Sequence, residues 1–171
     1  GRVVATPTAL GRKPRLLATV ESRAVATDAA HVYFGDAAND TLCALAKMPR
    51  EGATSAPVRI ARPAPVAGAL AVDAHAGALA WIGSPGDVVL RVPVRGGVPT
   101  TIRERAIFTD VDASNGDVFV TEARGDGGTL TRVTGATAAQ LATFEGSPRG
   151  IVVDATTVYV ATSSRLLSSP R

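Results

Sequence analysis

Apolar residues along this chain fall into short runs of strand length. They are rich in valine, isoleucine and aromatic residues, and each is closed by glycine, proline, asparagine or aspartate. Runs of that kind predict β-strands rather than helices. One longer pattern occurs four times: an alternating apolar run, an aspartate, a short polar turn, then a second apolar run carrying aromatics. The first copy reads Ala24-Val25-Ala26-Thr27-Asp28, then Val32-Tyr33-Phe34-Gly35-Asp36. Leu70-Ala71-Val72-Asp73 with Leu79-Ala80-Trp81-Ile82-Gly83 is the second. Thr109-Asp110-Val111-Asp112 with Val118-Phe119-Val120-Thr121-Glu122 is the third, and Ile151-Val152-Val153-Asp154 with Val158-Tyr159-Val160-Ala161-Thr162 the fourth. The aspartates are spaced by 45, 39 and 42 residues. A period near 42 predicts a repeated supersecondary unit.

Within each unit the aspartate leads into a turn, clearest at Ser114-Asn115-Gly116-Asp117, because Asn-Gly accepts the positive φ that a tight hairpin requires. A third run follows each pair, at Thr41 to Lys47, Val88 to Val94 and Thr129 to Val133. A fourth closes the unit at Val58 to Ala61, Thr100 to Arg103 and Leu141 to Phe144, after turn sequences at Pro49 to Gly52, Arg95 to Gly97 and Thr134 to Ala136. Four antiparallel strands, here a to d, in about 40 to 45 residues are the mark of a propeller blade. The expected fold is therefore all-β, a β-propeller of four-stranded antiparallel blades. The expected units are 1–20 as the end of a preceding blade, 21–62, 63–104 and 105–146 as blades, and 147–171 as an incomplete one. A six-bladed ring at this period takes about 250 residues, so the expectation is a partial propeller of about four blades. The alternative is a four-bladed ring in which the two terminal pieces share a blade. That ring has one c strand too many, because Arg2-Val3-Val4 and Arg165-Leu166-Leu167 both read as c.

Composition sharpens this picture without naming an activity. Seventeen glycines and eleven prolines exclude a helical bundle or coiled coil. The longest apolar stretch, Val66 to Gly83, is broken by Asp73 and His75 and cannot span a bilayer. Eighteen basic residues stand against fifteen acidic ones, and the arginines are scattered rather than gathered into the basic stripe that nucleic acid requires. A single cysteine, Cys43, permits neither an intrachain disulfide nor a thiolate metal cluster. Five of the seven aromatics, Tyr33, Phe34, Trp81, Phe119 and Tyr159, lie in b strands, where they pack blade against blade.

The phrase Val-Asp-Ala, a turn and Val-Tyr or Val-Phe, a c strand such as Val88 to Pro93, and the Gly-Gly-x-Pro-Thr turn at Gly96 to Thr100 resemble the six-bladed propellers of YWTD, NHL and TolB-like type. The resemblance covers essentially the whole chain. It implies a fold that serves binding platforms, receptor modules and enzymes alike, and an extracytoplasmic or secreted setting. It also implies that the d-to-a and b-to-c connections share the face used for binding.

On that face the candidate ligand-binding residues are Arg23, Arg105, Arg149 and Glu122. Arg23 and Arg149 each precede a repeat aspartate by five residues, and guanidinium groups there can grip a carboxylate or phosphate bidentately. The four repeat aspartates read as caps on turn amides, not as a metal ring. Asp36, Asn39 and Asp40, or Glu122 with Asp126, could hold calcium only weakly; no other metal and no cofactor is expected. No catalytic residue is assigned. The expected function is a non-catalytic binding or scaffold module for a protein or small-molecule ligand, with no nucleic acid partner. The alternative is a lactonase-like or streptogramin-lyase-like enzyme with catalytic residues partly elsewhere. Against the lyase stand His31 and His75, which read as turn residues on the opposite face. Against the lactonase stands Asn39, which falls in a loop rather than at a strand end.

Overall fold

The computed structural model describes residues 2–5, 15–46 and 56–171, and their regular elements are all β-strands. A leading pair, β1 (Arg2–Ala5) and β2 (Arg15–Thr19), forms a two-stranded antiparallel sheet. Three four-stranded meanders follow. The first blade is β3 (Val25–Thr27), β4 (His31–Asp36), β5 (Thr41–Ala46) and β6 (Val58–Ala61). The second is β7 (Val66–Asp73), β8 (Ala78–Gly83), β9 (Val88–Pro93) and β10 (Thr100–Glu104). The third is β11 (Ile107–Ser114), β12 (Asp117–Arg124), β13 (Gly127–Thr134) and β14 (Thr137–Glu145). A last sheet holds β15 (Pro148–Val153), β16 (Thr157–Thr162) and β17 (Leu166–Pro170).

Within each sheet the strands pair antiparallel in sequence order, as the repeat predicts. The leading pair and the last three strands are separate sheets, so a blade shared between the two terminal pieces is not the arrangement observed. The expected turn at Pro49 to Gly52 and the end of the third run at Lys47 lie outside the described residues. No helix among the described residues is long and apolar enough to cross a membrane.

The blades stack through their first strands, β3 against β7, β7 against β11 and β11 against β15. Successive side chains in a strand point to opposite faces, so each b strand serves two seams at once. In β12, Val118 and Val120 face the second blade while Phe119 faces the last sheet. This is why the b strands read as continuous apolar runs rather than alternating ones. Tyr33, Leu42 and Ile60 of the first blade meet Val66, Leu70 and Trp81 of the second. Ile82 and Val89 meet Phe108 and Val120 across the next seam, and Phe119 and Leu130 meet Ile151 and Val160 across the third. The core is therefore a row of seams, each large side chain in it contributing about 1.5–3 kcal/mol by leaving water. The approach is close: a Cβ on Gly35 would lie 2.7 Å from Val66, so the first seam requires glycine there.

The a-to-b turns correct one reading of the repeat. Asp28 accepts the amides of Ala30 and His31 at 2.8 and 2.7 Å, and Asp154 those of Thr156 and Thr157 at 2.9 and 2.8 Å, as turn caps. Asp73 accepts the Ala76 amide at 2.9 Å and reaches the Gly116 amide of the third blade at 2.5 Å. Asp112 caps no turn. It lies inside β11 opposite Phe119, and the position matching Asp28 and Asp154 is Ser114, which pairs with Asp117 across the hairpin. The turn there is the one the Asn-Gly sequence predicts, with φ of 53° at Asn115 and 88° at Gly116.

Candidate functional site

Backbone hydrogen bonds fix which loops share a face. The Ala37, Ser84 and Ser163 amides of b-to-c loops donate to Glu21, Pro65 and Ser147 in the preceding d-to-a connections, at 2.9 Å each. Ala64, Arg105 and Gly146 in the following connections donate to Asp40, Asp87 and Asp126, at 2.8, 2.9 and 2.8 Å. The two loop sets are thus laced into one surface, here the upper face. The a-to-b and c-to-d turns form the lower face.

On the upper face Arg23 and Arg149 are both exposed, Arg23 just before β3 and Arg149 near the start of β15. Arg105 sits in the connection between β10 and β11 with a positive φ of 66°, its Nε 3.3 Å from Glu104 Oε1. Both partners of that pair are well exposed, so solvent screens it.

Glu122 is different. It is buried, on the side of β12 that faces the second blade, and its carboxylate is surrounded by donors. Arg103 of β10 gives Nε and Nη2 to Oε1 at 3.3 and 3.2 Å, and Thr131 gives its hydroxyl to the same oxygen at 3.3 Å. Arg124 gives Nη2 to Oε2 at 3.3 Å. A buried carboxylate with that set of partners ties two blades together, and removing a partner would leave an uncompensated charge. The structure therefore brings Glu122 to Arg103 and Arg124, neither of which was singled out from the sequence. Strand alternation carried the signal, since Glu122 has the parity of Val118 and Val120 and must point into the same seam.

A second polar seam joins the third blade to the last sheet. Asp110 accepts the Val111 amide at 2.9 Å on one oxygen and the Ile151 amide at 2.8 Å on the other. Asp112 repeats the device with Ala113 at 2.8 Å and Val153 at 2.7 Å. Burial pushes both carboxyls above their ordinary range against the pull of the amides. At the turns the balance is reversed. Burial raises Asp28, but the Tyr33 hydroxyl and the His31 and Ala30 amides outweigh it and hold the carboxyl low. The amides of Thr156 and Thr157 do the same for Asp154.

The loop with Asp36, Asn39 and Asp40 satisfies itself in part, because the Asn39 side-chain amide donates to Asp36 Oδ2 at 2.7 Å. His31 lies at the start of β4 with its Nδ1 3.7 Å from Asp28, and His75 is exposed in the β7–β8 turn. Both are on the lower face.

This arrangement has counterparts among solved structures. The chain superposes on a chain of a nidogen/laminin complex with a TM-score of 0.62 at 15% identity, covering 91% of this chain and 68% of that one. It superposes on streptogramin B lyase with a TM-score of 0.61 at 15% identity, over 86% of this chain and 53% of the lyase. On the computationally designed Ika4 protein the TM-score is 0.62 at 16% identity, over 93% and 98% of the two chains. No family model matches the chain, and no curated protein matches its sequence. At these identities the likeness is one of fold, and it defines the class: the described residues form a partial β-propeller, an open row of antiparallel blades.

Proposed function

We propose that the protein is a non-catalytic binding or scaffold propeller that presents the upper-face connections around Arg23, Arg105 and Arg149 to an anionic group of its ligand. The observation that carries this reading is the state of Glu122. Its two oxygens are occupied by Arg103, Arg124 and Thr131, so it acts as an internal brace between blades. The arginines Arg23 and Arg149 are exposed at matching places on two blades, where a guanidinium fork can meet a carboxylate or phosphate. Among the structural counterparts, the nidogen/laminin complex gives the precedent of a propeller-containing chain engaged with another protein, which supports a binding role here.

Calorimetric titration with citrate and with inorganic phosphate tests the proposal. Saturable binding that weakens by about tenfold in Arg23→Ala/Arg149→Ala is the expected result, given the strength of hydrogen bonds to charged groups. Binding unchanged by the double substitution would remove these arginines from the site. Hydrolysis of a model lactone that disappears in Glu122→Gln while the fold persists would overturn the non-catalytic reading.

A further inference from the structure

Two open depressions lie side by side on the lower face, opposite the surface discussed above. One, of about 650 Å³, lies between the β7–β8 turn at Ala76–Ala78 and the strand end at Pro93–Arg95, with Val98 on its rim. The other, of about 430 Å³, lies across the first seam, over Tyr33, Ala44, Val58 and Ile60. Val94 and Arg95 line both, so they form a single groove crossing from the first blade to the second.

The groove is held in place by backbone contacts. Beyond Arg95 the chain turns through Gly96 and Gly97 with φ of 98° and 147°, and the Gly97 amide donates to the Ile60 carbonyl at 3.3 Å. A Cβ on Gly96 would come within 2.9 Å of that carbonyl oxygen, so glycine lets the second blade's turn lie against β6 and keeps Arg95 over the seam.

Its chemistry is mixed in a consistent way. Over the first seam the floor is mostly apolar, and two valines of the groove, Val58 there and Val98 on the rim, are far more exposed than seam residues are, at 65% and 86%. Arg59, Arg91 and Arg95 border it, and none of the three is in an ion pair among the described residues. The nearby carboxylate of Asp28 is taken up by the Tyr33 hydroxyl and two turn amides. Arg91 also donates to the Gly116 carbonyl at 3.3 Å, and exposed apolar surface bordered by cations without an ionic partner complements a ligand that is itself apolar and acidic.

We propose that this groove docks an extended acidic, apolar segment of a partner protein. The groove spans two blades and is open along its length, which suits an extended peptide better than an enclosed small molecule. The site is on the opposite face from the arginines of the proposed function and does not depend on them.

Fluorescence anisotropy of the full chain with a labelled peptide of alternating leucine and glutamate tests this. Saturable, salt-sensitive binding is expected, weakened about tenfold or more in Arg95→Glu and also reduced in Val98→Ser. Both positions are exposed, and an unchanged thermal midpoint verifies that the fold is intact. The proposal is overturned by equal binding of a leucine–lysine peptide, by equal binding of both variants, or by binding to phosphatidylserine vesicles without binding to the peptide.

Discussion

The seam between the first and second blades and the seam between the third blade and the last sheet solve one problem by different means. In both, two inner strands run side by side. In the first seam the positions flanking Val25 are Ala24 and Ala26, which pack onto a cluster built around Tyr33, Leu42 and Trp81. In the later seam the matching positions, two and four residues before the hairpin position Ser114, are Asp112 and Asp110, whose carboxylates bridge amides on both strands. One seam is held by the shape of apolar side chains. The other adds four hydrogen bonds to two half-buried carboxylates. The comparison teaches that the repeat conserves where strands meet but not what joins them, so each seam responds differently to mutation and to acid.

The sharpest way to break the contrast is to empty the apolar seam. Trp81 is fully buried among side chains from both blades, so Trp81→Ala should cost about 3–5 kcal/mol of stability. Chemical denaturation followed by circular dichroism measures it. A loss below about 1 kcal/mol would show that shape is not what holds the first two blades together.

Next in size is the polar seam. Asp112→Ala leaves the Val153 amide without its partner in a half-buried setting, and should cost about 1–3 kcal/mol. Asp112→Asn, which keeps an acceptor oxygen, should recover part of that loss in the same denaturation experiment. Equal losses in the two variants would mean that the carboxylate's charge matters and its hydrogen bonds do not.

Acid separates the same carboxylates from those of the turns. Asp110 and Asp112 are held above the ordinary value of 3.8 by burial, so the folded chain binds protons before the unfolded chain does. Their contribution to stability therefore rises as the pH falls toward 3.8. Asp28 and Asp154 are held below 3.8, so their contribution is present above that value and is lost as the pH falls further, through their folded values. Stability measured against pH should lose its gain above 3.8 in Asp110→Asn/Asp112→Asn, and should fall less steeply below 3.8 in Asp28→Asn/Asp154→Asn. The same profile in wild type and both double variants would break the distinction between seam and turn.

Much of this was legible in the sequence because strand spacing and turn chemistry are local. The four-fold pattern, the antiparallel order and the Asn115-Gly116 turn all follow from residues a few positions apart. Asp112 was misassigned for the same reason. It matches Asp73 and Asp154 in sequence context, Val-Asp-Ala, yet lies two residues earlier in the strand, and only the partner amide 41 positions away reveals its role. Glu122 reads in the sequence as a ligand-binding candidate, whereas its buried carboxylate is held by Arg103 of another blade, a pairing that depends on how two repeats pack. The lower-face groove was not visible in the sequence at all, because it is made where the Gly96–Gly97 turn of one blade rests on β6 of another.

The smallest effect distinguishes two equivalent tyrosines. Tyr33 and Tyr159 occupy the same place in β4 and β16, and each donates its hydroxyl to the turn aspartate, at 2.6 Å to Asp28 and 3.2 Å to Asp154. Tyr33 lies in the apolar seam at 2% exposure, whereas Tyr159 is on the outer face of the last sheet at 38%. Beside them, Leu42 and Leu166 also hold one equivalent position, at 0% and 74%. Burial and the Asp28 carboxylate push the Tyr33 hydroxyl well above its usual range, and its hydrogen bond is part-buried. Tyr33→Phe should therefore cost about 1 kcal/mol, the net worth of a typical intramolecular hydrogen bond. Tyr159→Phe should stay within about 0.5 kcal/mol, as exposed substitutions do. Denaturation midpoints of the two variants, compared at one protein concentration, read the difference directly. Equal losses would mean that Tyr159 is covered in solution, and that the last sheet's outer face is a seam of the same apolar kind as the first.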